Sequence, residues 1–196
     1  MNLEKKSIYL GKILRHAPEE VNAVPDKYGW IEVKFIRKRL KVSLKKLEEI
    51  VSYGKKIRYV FNEDKTKLRA LQGHSFPVEL MLEPQTPPDI LFHGTIEDFV
   101  PLINKSGLKK MVRQHVHLSS DIKTAKIVAK RRKRPIYIYK IKAKEMFKDG
   151  YNFYLVENGV WLTDKVDIKY LTTTNWLKIR LPSFYILFYI LFYAHL

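Results

Sequence analysis

Residues 43–72, SLKKLEEIVSYGKKIRYVFNEDKTKLRALQ, hold three local patterns in succession. Ser43 followed by Leu44, Leu47, Ile50 and Val51 is an N-cap with an apolar stripe at helical spacing. Residues 57–61 and 67–72 then read as two strands, and Asn62-Glu63-Asp64 between them supplies the turn. Upstream, Phe35, Ile36 and Leu40 predict a short second helix, and Gly29-Trp30-Ile31-Glu32-Val33 a short strand. Leu3, Leu10, Ile13 and Leu14 mark one face of a first helix that ends near Pro18. Helix, strand, helix, helix and two-stranded wing is the order of a winged-helix module. Such modules bind nucleic acid in many proteins and serve as protein-interaction platforms in others.

Downstream, three prolines in Glu83-Pro84-Gln85-Thr86-Pro87-Pro88-Asp89 favour extended backbone and predict a linker over 83–89, after a first lobe at 1–82. A second lobe is expected over 90–171. In it, Ile90-Leu91-Phe92-His93 reads as a buried strand, and Thr95 as the cap of a helix that stops at Gly107. Val116-His117-Leu118-Ser119 reads as another strand, with Ser120 as cap of a helix over 121–132. Residues 136–142 alternate with period two. Residues 153–156 and 160–163 flank Asn158-Gly159, a hairpin signal. The class is α+β, with about five strands in the second lobe by pattern reasoning.

The chain has 196 residues and a formal charge of +17, and its 46% of hydrophobic residues suffice for a real core. The charge points to a polyanionic partner, nucleic acid first. Zero cysteines exclude disulfide staples, thiol catalysis and Cys-ligated metal. The N-terminal residues lack the apolar run of a signal peptide, so a cytoplasmic protein is expected.

Several groups could carry chemistry, and each has a plainer reading. Arg15-His16, with Lys12 one turn earlier, end the first helix. They suit a phosphate, or simply the negative end of a helix dipole. Arg69 on the second wing strand is a candidate phosphate fork, and Gly73 lets backbone approach a ligand; the alternative is one exposed Arg and a turn. His93-Gly94-Thr95, read as a strand end entering a helix, offers backbone amides to an anion, or only a turn and a cap. Arg113, His115 and His117 share a face if extended. The H-x-H pair has no third or fourth ligand at metal spacing, so no metal is expected. The run Lys130-Arg131-Arg132-Lys133-Arg134 is a solvated helix end or a non-specific steering patch for RNA.

Taken in order, these pieces carry more than they do singly. Arg15-His16, Gly29-Trp30, Arg69-Ala70 with Gln72-Gly73-His74-Ser75, His93-Gly94-Thr95, Gly107-Leu108 with Met111 and Arg113, His115-Val116-His117-Leu118-Ser119, and Asn158-Gly159-Val160-Trp161-Leu162-Thr163 together resemble the RNA 2′-phosphotransferase family over about residues 3–171. The resemblance implies a winged-helix RNA lobe joined to an ADP-ribosyltransferase-like lobe of mixed α/β structure. It also implies an enzyme that removes an internal 2′-phosphate from RNA, tRNA being the expected substrate, with NAD⁺ as acceptor. Nicotinamide and ADP-ribose 1″,2″-cyclic phosphate would be the other products. By the same resemblance Arg15, His16, Arg69 and Arg113 are the catalytic and RNA-phosphate residues, with Lys12 on the RNA side. His93, Gly94, Thr95, His117, Leu118, Ser119 and Val160 would hold NAD⁺. Val160 stands where many protein-modifying ADP-ribosyltransferases carry a glutamate, which argues against protein modification; Glu157 lies three residues upstream.

Two alternatives stay open at this level. One is a winged-helix DNA-binding regulator with a sensor domain. The other is an ADP-ribosyltransferase that caps phosphorylated nucleic-acid ends or modifies protein. A monomer with no membrane partner is expected. Residues 172–196 form a hydrophobic tail that the resemblance does not explain; the apolar run over 184–194 is too short for a helix that spans a bilayer.

Overall fold

The computed structural model describes residues 2–54, 56–131 and 133–173. Helix α1 (Leu3–Arg15) starts where the Asn2 side chain accepts from the Lys5 amide at 2.9 Å, and it buries Leu10, Gly11, Ile13 and Leu14. After strand β1 (Ile31–Glu32), helix α2 (Val33–Leu40) ends at Lys41 with φ 49°. Helix α3 (Leu44–Val51) is capped by Ser43, as its sequence predicts. Strands β2 (Tyr59–Phe61) and β3 (Lys67–Ala70) complete an antiparallel sheet ordered β1-β3-β2. Both strands are shorter than their apolar pattern: the ladder ends at Tyr59 opposite Ala70, beyond which the Leu71 amide still donates to the Arg58 carbonyl at 3.1 Å. The first core lies under them: Leu10, Ile13, Leu14, Ile36, Leu47, Ile50, Tyr59 and Leu68 pack together. Each fully buried Leu or Ile is worth about 1.5–3 kcal/mol over an exposed one. Gly11 is a close-approach glycine, because an added Cβ would stand 2.5 Å from the Tyr59 hydroxyl, which donates to the Ser7 carbonyl at 2.8 Å.

The second half opens with β4 (Leu91–Ile96), then α4 (Val100–Ser106), β5 (Leu108–Lys109), β6 (Val116–Ser119) and α5 (Ile122–Lys130). It continues with β7 (Ile136–Ile141), α6 (Ala143–Lys148), β8 (Tyr154–Leu155), β9 (Val160–Thr163), β10 (Lys165–Val166) and β11 (Leu171–Thr173). Six strands form one antiparallel sheet in the order β11-β7-β4-β6-β9-β8, and β5 pairs with β10. The expected five strands are therefore exceeded. The two-residue strands β5 and β10 are too short to show a period, and β11 starts at the last residue of the expected lobe and runs into what reads as a tail; its pairing with β7 carries the folded chain through Thr173. The rest of the expected tail lies outside the described residues. Among those residues, no helix is long and apolar enough to cross a membrane.

Two caps fall elsewhere than the sequence predicts. Thr95 is buried inside β4, opposite Tyr137, because the ladder with β7 runs unbroken from Leu91 to Ile96. The helix that Gly107 ends is α4, which starts at Val100. Asp121, not Ser120, caps α5, accepting from the Thr124 amide at 2.7 Å; its carboxylate is the stronger acceptor at a helix N-terminus.

The halves are packed together. Val60, Leu71, Leu80 and Leu82 meet Tyr154, Val156, Val160 and Leu162 in one apolar cluster. Asn158 donates to the Ile57 carbonyl at 3.0 Å and Gln114 to the Val78 carbonyl at 3.2 Å. The proline-rich stretch lies against the sheet edge: Pro84 bridges to Tyr154, and the Gln85 amide donates to the Phe153 carbonyl at 2.8 Å.

Candidate active site

The seam between the halves collects cations. Arg15 is at the C-terminal end of α1, with its guanidinium 5.5 Å from the Tyr59 ring centre. Its carbonyl accepts from the Ser75 amide at 2.9 Å and from the Ser75 hydroxyl at 3.2 Å. Gly73 makes that turn at φ 90°, a conformation that L side chains rarely adopt. A Cβ there would lie 3.6 Å from Arg15 Cδ and 3.8 Å from His117 Nε2, so Gly73, Arg15 and His117 converge. Arg69, on β3, lies 4.6 Å from the Trp30 ring centre and donates to the Tyr28 carbonyl at 3.5 Å.

Buried nitrogens are left over in this cluster. The Nε atoms of Arg15 and Arg69, and both ring nitrogens of His74, are buried with no hydrogen-bond partner. An orphaned buried donor costs about 1–3 kcal/mol, more when charged. None of the ion pairs among the described residues engages Arg15, His16 or Arg69. Burial lowers the Arg15 pKa, and the neighbouring charges of Arg113, Arg58 and Arg131 lower it further against the opposing effect of Tyr59. His16 is likewise lowered by burial, then by Arg113 and Arg15. His74 is pushed down to about 4, first by burial and then by Arg15, His16 and Arg69. A site that resists its own positive charges is matched by an anion, which meets the open donors and relieves the repulsion together.

Beside it, strands β4, β6 and β9 carry the other predicted residues. Ring atom Nδ1 of His93 lies 3.1 Å from the His117 carbonyl oxygen, and burial lowers the His93 pKa. His117 is pushed down to about 3, by burial and then by Arg113. Ser119 is directly opposite Val160 across the β6–β9 ladder, and Glu157 is exposed in the hairpin turn before it. Burial thus leaves both imidazoles neutral near pH 7, with an apolar valine at the strand start.

Not every predicted residue arrives at this seam. Lys12 is held in an ion pair with Glu20 at 2.5 Å, and Glu20 also accepts from Tyr9. Leu118 is in the core beneath the sheet. Gly94 lies in mid-strand rather than at a strand end, where an added Cβ would stand 2.1 Å from the Ala125 carbonyl oxygen; it lets α5 close on β4. Thr95 is likewise inside the ladder with β7, so neither residue stands at the entry to a helix. Arg113 lies in the loop before β6 rather than on the strand. In the other direction, Gln72, His74 and Ser75 have contacts to which their sequence assigns no role. The signal available was a polar residue on each side of a glycine at a strand end. Among the described residues, no group of three or more metal-ligating side chains occurs.

A family profile described as RNA 2′-phosphotransferase, Tpt1 / KptA family, matches residues 2–165. A protein of Fusobacterium nucleatum named probable RNA 2′-phosphotransferase is 48% identical over 168 residues, 83% of this chain and 94% of that relative. Proteins of the same name from Flavobacterium johnsoniae and Trichormus variabilis are 45% identical over 170 residues and 46% identical over 176. These alignments cover 84% and 87% of this chain and 93% and 96% of the two relatives. With a match that spans most of its length, and an anion-seeking cluster where the ordered motifs meet, the chain belongs to the RNA 2′-phosphotransferase, Tpt1 / KptA family.

Proposed function

We propose that the chain removes an internal 2′-phosphate from RNA, tRNA being the expected substrate, and transfers it to NAD⁺. Residues 1–82 act as a winged-helix RNA lobe and residues 90–171 as an ADP-ribosyltransferase-like lobe. The observation that carries this reading is the pair of buried, unpartnered guanidinium nitrogens on Arg15 and Arg69, in a cluster built of cations.

A phosphate dianion is already a nucleophile, so the site has to orient it and spread its charge. Arg15, Arg69 and Arg113 serve as forks for its oxygens, and stacking on Tyr59 and Trp30 fixes two of the three guanidinium planes. His16, at the exposed end of α1, gives a proton or hydrogen bond to the phosphate. NAD⁺, when bound, supplies an electrophilic anomeric carbon and a nicotinamide leaving group. Neutral His93 and His117 suit a cationic pyridinium, because they add no positive charge beside it. Ser119 and Val160 continue that surface. In the second step a ribose hydroxyl would bond to phosphorus as the RNA 2′-oxygen leaves, its proton passing to that oxygen to give the 2′-hydroxyl, and Arg113 with His16 would bear the phosphate charge.

The test is an oligonucleotide with one internal 2′-phosphate, incubated with and without NAD⁺ and followed by mass. Loss of one phosphate that requires NAD⁺, with ADP-ribose cyclic phosphate appearing, is the expected result. NAD⁺ turnover indifferent to that RNA would sink the proposal. A stable ADP-ribosylated RNA would indicate the end-capping reaction instead.

A further inference from the structure

His117 is set between two acceptor atoms. Its Nδ1 lies 3.0 Å from the His115 carbonyl oxygen, and its Nε2 lies 3.0 Å from the Gln72 amide oxygen. A backbone carbonyl can only accept, so Nδ1 carries the ring proton. A second proton on Nε2 would make the ring a cation. Burial opposes that, and so do the charges around it: Arg113 from the loop before β6, Arg15 from α1, and His115 on the same segment. From β4, His93 Nδ1 lies 3.1 Å from the His117 carbonyl oxygen. With Nε2 unprotonated, its partner must donate. A glutamine amide does so by half a turn about its last side-chain bond, which exchanges an oxygen and a nitrogen of nearly equal size.

We infer that Gln72 is a positioning residue: its amide nitrogen donates to His117 Nε2 and locks the ring as the neutral Nδ1–H tautomer. The inference rests on the reading that β6 faces NAD⁺. Gln72 belongs to the loop in which Ser75 holds the Arg15 carbonyl. One loop thus sets the phosphate-binding arginine and the nicotinamide-side histidine against each other. The lock also consumes the only lone pair of His117 that could take a proton, so the ring stays uncharged beside a cationic ligand.

The decisive measurement is long-range nitrogen–proton NMR of His117 in the full wild-type chain, without RNA or NAD⁺. A protonated Nδ1 and bare Nε2, unchanged from about pH 5 to 8, is expected. An imidazolium signal, or a proton on Nε2, overturns the inference whatever the enzyme does. Gln72→Glu is the second arm. A carboxylate can only accept, so His117 should now take a proton within that pH range. The KM for NAD⁺, relative to wild type, should then rise as pH falls, while the KM for RNA stays within about twofold. Gln72→Leu, which removes the bond and adds no charge, should raise the KM for NAD⁺ roughly five- to tenfold without that pH dependence. Equal pH dependence in Gln72→Glu and Gln72→Leu overturns the lock as a charge-controlling device. If wild type shows the expected tautomer but no RNA-dependent NAD⁺ turnover, the proposed function fails and the Gln72–His117 lock stands.

Discussion

Replacing Gly94 with alanine separates two roles for a glycine that the sequence presents as a ligand-binding residue. In β4 its φ carries no special requirement, so the argument is one of space alone. The added Cβ would stand 2.1 Å from the Ala125 carbonyl oxygen, 2.9 Å from the Ala125 carbonyl carbon and 3.2 Å from Ala129 Cβ. The first two atoms are backbone of α5, so no rotamer change relieves them; helix and strand must separate. Such separation uncovers the cluster of Ala125, Ala129 and Ile138. Overpacking costs about 1–3 kcal/mol where side chains can adjust, and a backbone obstacle puts this site at or above ~3 kcal/mol. For a chain of this size that is a fall of roughly 6–12 °C in Tm. Urea unfolding followed by circular dichroism reads the loss as a lower midpoint at unchanged slope. Gly159→Ala is the control: it sits at φ 77° with no atom within 4 Å, and backbone strain alone costs it about 1–2 kcal/mol. A Gly94→Ala protein within about 0.5 kcal/mol of wild type, yet deficient in NAD⁺ binding, would refute the packing argument and restore the ligand-approach reading.

Three further outcomes are expected. Arg69→Lys keeps a charge but loses the planar fork and the stacking on Trp30, so kcat should fall on the order of a hundredfold with the urea midpoint little changed; activity near wild type would remove Arg69 from the phosphate site. His74 is lowered to about 4 from an unfolded value of 6.5, so the native state binds fewer protons between those values and stability rises with pH across that window. The gain is roughly 3 kcal/mol by about pH 6.5, levelling above it; the difference in urea midpoints between wild type and His74→Leu from pH 4 to 7 measures it, and the smaller rise left in the variant belongs to groups such as His117. Arg131 adds to the field that lowers Arg15, so Arg131→Glu should weaken RNA binding and reduce the salt slope by about one; an unchanged slope would place that cation off the RNA path.

Much of this architecture is legible along the chain, for a local reason. The stripes of α1 and α3, the Ser43 cap, the Asn158-Gly159 hairpin and strand β6 are each decided within a few residues of themselves. Errors occur where a distant ladder or a neighbouring side chain has a vote. Thr95 resembles a helix cap until β7 pairs with it, and Ser120 until Asp121 offers a charged acceptor one residue later. Strand β11 pairs through Thr173, at the start of a stretch that reads only as hydrophobic.

The candidate site divides along the same line. The amino-acid sequence by itself determined which residue types are available: Arg15-His16 at a helix end, Arg69 on a strand, Arg113 ahead of a strand, and His93 and His117 one per strand. Only tertiary structure decided which of them converge. It brings Gly73 between Arg15 and His117, turns Lys12 to Glu20, buries Leu118 in the core and commits Gly94 to the close approach of α5. Local sequence sets dihedral preferences and periodicity within one element. A charge cluster, an orphaned nitrogen and a bond from Gln72 to His117 exist only once segments 45 residues apart are packed at van der Waals distance, where Coulomb and desolvation energies become large.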